Sequence, residues 1–103
     1  MAEFNVRRVE LILTYHSGLP KAWLDNVWAY EIFLIIGELD GNIAYGSTDY
    51  YEMLETKACS IRTYRQFIKD RSAAGELLVI SRKNRKRKSL NLSENLRHIF
   101  RSL

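Results

Sequence analysis

At 103 residues, 47% hydrophobic and 27% charged, the chain has the make-up of one globular domain and too little length for a second. A single cysteine, Cys59, rules out an internal disulfide, and two histidines beside it make no cluster dense enough for structural zinc. The formal net charge of +4 is modest but uneven: residues 57–103 hold most of the lysine and arginine and only three acids, Asp70, Glu76 and Glu94. That bias points to a polyanionic partner, although a basic face also serves simple solubility.

The opening stretch "MAEFNVRRVELILTY" lacks the long apolar run and cleavage site of a signal peptide. Within it "VELILTY" reads as a strand, or as a helix with Val6, Val9, Ile12 and Leu13 on one face. After the break "HSGLP", Pro20 suits the first turn of a helix predicted over Lys21 to Leu39. Its apolar positions Leu24, Val27, Trp28, Ile32, Ile35 and Ile36 follow helical spacing, widened by Trp23, Tyr30, Phe33 and Leu34. This stretch carries Asp25 and Glu31 and falls short of the roughly 20 apolar residues of a membrane span, so a soluble, reduced, cytoplasmic setting is expected.

"LDGN" supplies turn chemistry and "NIAYG" is long enough for a short strand. Ser47 or Thr48 is the expected N-cap of a second helix running to about Glu55, with Asp49 and Glu52 near its positive end. Ser60 is the N-cap expected for a third helix, "IRTYRQFIKDRSAA", closed by Gly75. "ELLVISR" and "SLNLS" read as two strands flanking a tip in which six of the seven residues from Arg82 to Lys88 are basic. Ser93 then caps a closing helix with Leu96, Ile99 and Phe100 turned inward.

Within this order, Ser60, Thr63, Tyr64, Arg65, Ile68, Gly75 and Leu77 resemble the recognition-helix pattern of winged helix-turn-helix regulators, with the S-x-x-T-[apolar]-R spacing of the GntR type. The following "SRKNRKRKSLNLSENLRHIF" is similar to the basic wing, return strand and final helix of MarR-type repressors. The resemblance spans roughly residues 24 to 100. Three positions depart from it: Lys57 and Ala58 stand where such turns carry an apolar residue and a glycine, and Arg71 where a leucine commonly packs. It implies an α+β fold of winged helix-turn-helix type, mainly helical with a small antiparallel sheet. Residues 1–103 would form one domain, with 1–20 an N-terminal extension suited to dimerisation.

The residues of the third helix lead to the same place. At 100° per residue Ile61, Tyr64, Ile68 and Arg71 share one face, with Phe67 beside them, and Arg62, Gln66 and Lys69 share the opposite face. The first set can anchor the helix. The second is free to enter a major groove, where arginine suits guanine N7/O6 and glutamine suits adenine N6/N7. Ser60, Thr63 and Lys57 suit phosphate. The expected DNA-contact set is therefore Ser47, Thr48, Lys57, Ser60, Arg62, Thr63, Arg65, Gln66 and Lys69, with the wing residues Arg82, Lys83, Arg85, Lys86, Arg87 and Lys88 on the backbone or in the minor groove.

Competing readings exist for several of these features. Trp23, Trp28, Tyr30 and Phe33 at helical spacing fit a core or a dimer interface better than a stacking platform for single strands. Cys59 fits a helix-turn-helix core better than a redox sensor. His16 and His98 fit surface or capping positions. There is no phosphate loop, no paired carboxylate motif and no nucleophile with an evident base, so neither an enzyme nor a cofactor or metal is expected. The sequence points to a small homodimeric transcriptional regulator that binds double-stranded DNA through helix 60–74 and wing 82–88. A plasmid or phage partition or replication accessory protein, and a winged-helix RNA- or protein-interaction module, are the alternatives.

Overall fold

In the computed structural model, residues 18–56, 59–80 and 88–103 are described. The expected strand over Val9 to Tyr15, Lys57, and Arg82, Lys83, Arg85, Lys86 and Arg87 lie outside them.

The helix expected from Lys21 onward is divided. Pro20 leads into a 3₁₀ turn, Lys21–Trp23, and α1 begins only at Val27, after Asn26 has taken an extended conformation (φ −140°, ψ 145°). The reason lies in tertiary packing. Trp23 and Trp28 both meet the ring of Phe67 edge to face, at centroid distances of 5.1 and 5.0 Å. On one continuous helix, residues five apart point about 140° away from each other, so a single partner could not receive both. The break at Asp25–Asn26, two residues that favour turns and caps, lets each indole reach the same ring.

Helix α1 (Val27–Leu39) buries Trp28, Ala29, Tyr30, Glu31, Ile32, Phe33 and Ile36. It ends with Asp40 and Gly41 in the left-handed region (φ 47° and 78°). The φ of 78° at Gly41 favours glycine there, and a Cβ would in addition press on the tip of Ile80, 2.8 Å from its Cδ1. "NIAYG" does not become a strand. Asn42 folds it into a turn, accepting the Ala44 amide on Oδ1 and the Tyr45 amide on its carbonyl.

The N-cap of α2 (Ser47–Glu52) is Gly46, one residue before the Ser47 and Thr48 expected, and the helix stops at Glu52 rather than Glu55. Asp49 supplies the capping carboxylate, its Oδ2 accepting the Gly46 amide at 2.7 Å. Helix α3 (Ile61–Ala73) begins where expected: Ser60 Oγ accepts the Thr63 amide at 3.2 Å, and Gly75 (φ 78°) follows its end.

Strands β1 (Leu77–Ile80) and β2 (Ser89–Leu92) form an antiparallel pair with Leu77 opposite Leu92 and Ile80 opposite Ser89. Ser93 caps α4 (Glu94–Arg101), whose Phe100 meets Phe33 at 6.0 Å. The described residues therefore make an α+β fold of four α-helices and a two-stranded antiparallel sheet around one core. Its largest fully buried side chains include Trp23, Tyr30, Phe33, Tyr50 and Tyr64, with Ile32, Ile36 and Leu92. Most of the apolar stripe of α1, read from sequence as enough to share with a second subunit, is consumed by this core. Val27 is its most open apolar member, at 37% exposure.

Candidate nucleic-acid interface

Three chain segments meet through tyrosines at the N-terminal half of α3. Tyr64, fully buried on the inner face, donates its hydroxyl to the Ser47 carbonyl at 2.7 Å and lies 5.1 Å from the Tyr51 ring. Tyr51 in turn donates to the Cys59 carbonyl at 2.8 Å. From the other side the Ser47 amide donates to the Lys88 carbonyl, and Ser89 Oγ donates to the Tyr45 carbonyl at 2.7 Å. Tyr50, beneath both, accepts the Leu90 amide on its hydroxyl at 3.0 Å. The start of α2, the body of α3 and the start of β2 are thereby held as one surface, and Ser47 and Lys88 become neighbours.

The inner face of α3 carries Tyr64 and Ile68, buried, with Ile61, Phe67 and Arg71 half-buried. The outward face carries Arg62, Thr63, Arg65, Gln66 and Lys69, all exposed, and Ser60 and Thr48 are exposed beside it. Two of these residues are less free than the sequence suggests. Ser60 Oγ is engaged with the Thr63 amide and hydroxyl, at 3.2 and 3.1 Å, and the Gln66 amide donates to Asp70 Oδ1 at 2.8 Å. Ser47 is half-buried, with both its backbone groups in use.

Arg71, at the leucine position of the resembled pattern, turns inward to a charged partner. Its guanidinium donates to both oxygens of Glu76, at 2.9 and 3.2 Å, and lies 5.8 Å over the Phe67 ring. Glu76 Oε1 also accepts the Trp23 indole N–H at 2.8 Å. An arginine is accommodated there because its charge is paired while its stem covers an aromatic ring.

Glu31 is a buried support that periodicity alone misses. Buried at 5% exposure in α1, its carboxylate accepts the amides of Glu55 and Thr56, both at 2.9 Å, and the Thr56 hydroxyl. It holds Glu55 and Thr56, just beyond the end of α2. Its signal in the sequence is an acid inside an apolar helical stripe, a placement that requires hydrogen-bond partners.

Cys59 is half-buried just before α3, and burial pushes its thiol above the ordinary range, which favours the neutral form over a reactive thiolate. His98 is exposed in the last turns of α4, beside a shallow groove of about 540 Å³ lined by Leu78, Glu94, Asn95, Arg97 and Arg101. Among the described residues no group of three or more His, Cys, Asp and Glu could hold a metal ion, and no helix is long and apolar enough to cross a membrane. Comparison of the chain with protein-family models, with curated proteins and with solved structures returns no match.

Proposed function

We propose that the protein is a sequence-specific double-stranded DNA-binding protein of winged helix-turn-helix type, acting in the cytoplasm as a small homodimeric transcriptional regulator. The observation that carries this reading is the division of α3: an inner face pinned by Tyr64 and Ile68, and an outward face on which Arg62, Arg65, Gln66 and Lys69 are all exposed. A helix so mounted has the width and the donor and acceptor groups a major groove accepts. Thr48, Ser60 and Lys88, exposed on the adjoining segments, suit phosphate contact. Lys57 and the cations Arg82, Lys83, Arg85, Arg87 and Lys86 add to the basic charge that counterion release rewards. Two copies on paired half-sites would give the specificity that one helix lacks.

Selection from a random duplex library at physiological salt tests this, with Arg62→Ala/Gln66→Ala beside the wild type. The expected result is a palindromic or directly repeated site that the double variant no longer enriches. Weak binding without enrichment, steeply salt-dependent in both proteins, would reject base readout and favour an RNA- or protein-binding role.

A further inference from the structure

Asp70 is the one acid on α3, and it is exposed one turn beyond Gln66, at the flank of the face that carries Arg62, Gln66 and Lys69. A carboxylate there works against a polyanionic partner, so its placement calls for a compensating role. Its bond to Gln66 suggests one. A carboxylate only accepts hydrogen bonds, so the 2.8 Å contact from Gln66 Nε2 to Asp70 Oδ1 fixes which end of the side-chain amide faces Asp70. One of the two Nε2 hydrogens is used in that bond. The other hydrogen and Oε1 are left by this bond, one donor and one acceptor, the two kinds of group with which a glutamine donates to adenine N7 and accepts from adenine N6.

We infer that Asp70 is a positioning residue for base readout: it holds Gln66 in the orientation that recognises adenine, so each copy of the protein selects an A·T pair opposite the middle of α3. This rests on the DNA-binding reading and deepens it. The gain comes from pre-organisation, because a long side chain already ordered in the free protein loses less freedom on binding. A neutral side chain that keeps the acceptor should preserve the preference, and one that lacks it should not.

The test is the same library selection, followed by titration of the selected duplex and its single-base variants, with wild type, Gln66→Ala, Asp70→Ala and Asp70→Asn. Circular dichroism melts check that each variant is folded, an exposed i, i+4 pair being a minor contribution to stability. The expected result is one adenine position per half-site that Gln66→Ala abolishes. At that position Asp70→Ala lowers discrimination roughly 2- to 12-fold, the equivalent of ordering one rotamer-rich side chain. The same variant raises affinity for unrelated duplex, a carboxylate having been removed, and Asp70→Asn retains the adenine preference.

Retention of full adenine discrimination by Asp70→Ala overturns the inference while leaving DNA binding intact. So does equal loss in Asp70→Ala and Asp70→Asn, which would assign the effect to charge, or a Gln66-independent cytosine preference lost in both, which would assign Asp70 its own base contact. A wild-type selection that enriches nothing overturns the DNA reading itself and the inference with it.

Discussion

Replacing Glu31 with alanine should loosen the segment Glu55–Thr56 that follows α2. The carboxylate accepts two backbone amides at 2.9 Å and a threonine hydroxyl, all from a loop 24 or 25 residues away in sequence. A hydrogen bond to a charged group contributes about 1.5–3 kcal/mol, and truncation removes both amide bonds together with the hydroxyl bond. Water recovers part of this, because Glu55 is exposed and Thr56 half-buried. The net cost of Glu31→Ala is about 3 kcal/mol. At about 4–8 °C per kcal/mol for a domain of this size, Tm should fall by about 12–24 °C. Glu31→Gln keeps the shape and one strong acceptor but turns an N–H toward a backbone N–H, so it should fall between wild type and alanine. Urea unfolding followed by tryptophan fluorescence measures this directly, since Trp23 and Trp28 sit in the core. An alanine variant within about 0.5 kcal/mol of wild type at unchanged m-value would refute the reasoning, because that is the range of an ordinary surface substitution.

Gly37 offers a second test, since a Cβ there would lie 2.6 Å from Phe100 Cδ2 and 2.7 Å from Cγ. Overpacking of about 1–3 kcal/mol should outweigh the roughly 1 kcal/mol gained in helix propensity, so Gly37→Ala should unfold at lower urea, and a more stable variant would show that α4 yields freely. Stability should also fall in alkali. Burial raises the Tyr64 pKa above its ordinary 10.0, and Tyr50 shifts the same way for the same leading cause. Above about pH 10 the unfolded chain releases these phenolic protons while the folded protein keeps them, so the contribution is complete below that pH and declines as pH rises toward the folded values. Tyr64→Phe should flatten the fall in urea midpoint above about pH 10 while losing about 1 kcal/mol at neutral pH, and identical slopes in the two proteins would contradict this.

Elements set by near neighbours were legible in the sequence. Ser60 and Ser93 cap α3 and α4 as expected because the bond each makes closes within three residues. The two faces of α3 could be read for the same reason, from one periodicity. What escaped depended on distant partners. Nothing local announces that Trp23 and Trp28 share Phe67, yet that sharing divides the first helix. "NIAYG" had the composition of a strand, but the Asn42 side chain captured the Ala44 amide first. Gly46 displaced Ser47 and Thr48 as N-cap because the capping carboxylate comes from Asp49, inside the helix. At the candidate site, the exposure of Arg62 and Lys69 followed from helical geometry, whereas the engagement of Gln66 by Asp70 required knowing rotamers as well as faces.

The Arg71–Glu76–Trp23 bridge bears on mechanics. Only Ala74 and Gly75 separate α3 from Glu76, and the bridge ties the last turn of the helix both to the residue entering β1 and to the 3₁₀ turn ahead of α1. The Glu76 amide also bonds the Arg71 carbonyl, and its own carbonyl receives the Ser93 amide. The end of the helix and the start of the strand are therefore tied by side-chain and backbone bonds together, so contacts within the protein set the spacing between them. On the DNA-binding reading proposed above, a duplex touching both would have to match that spacing or bend to it, which would make its deformability part of what is selected.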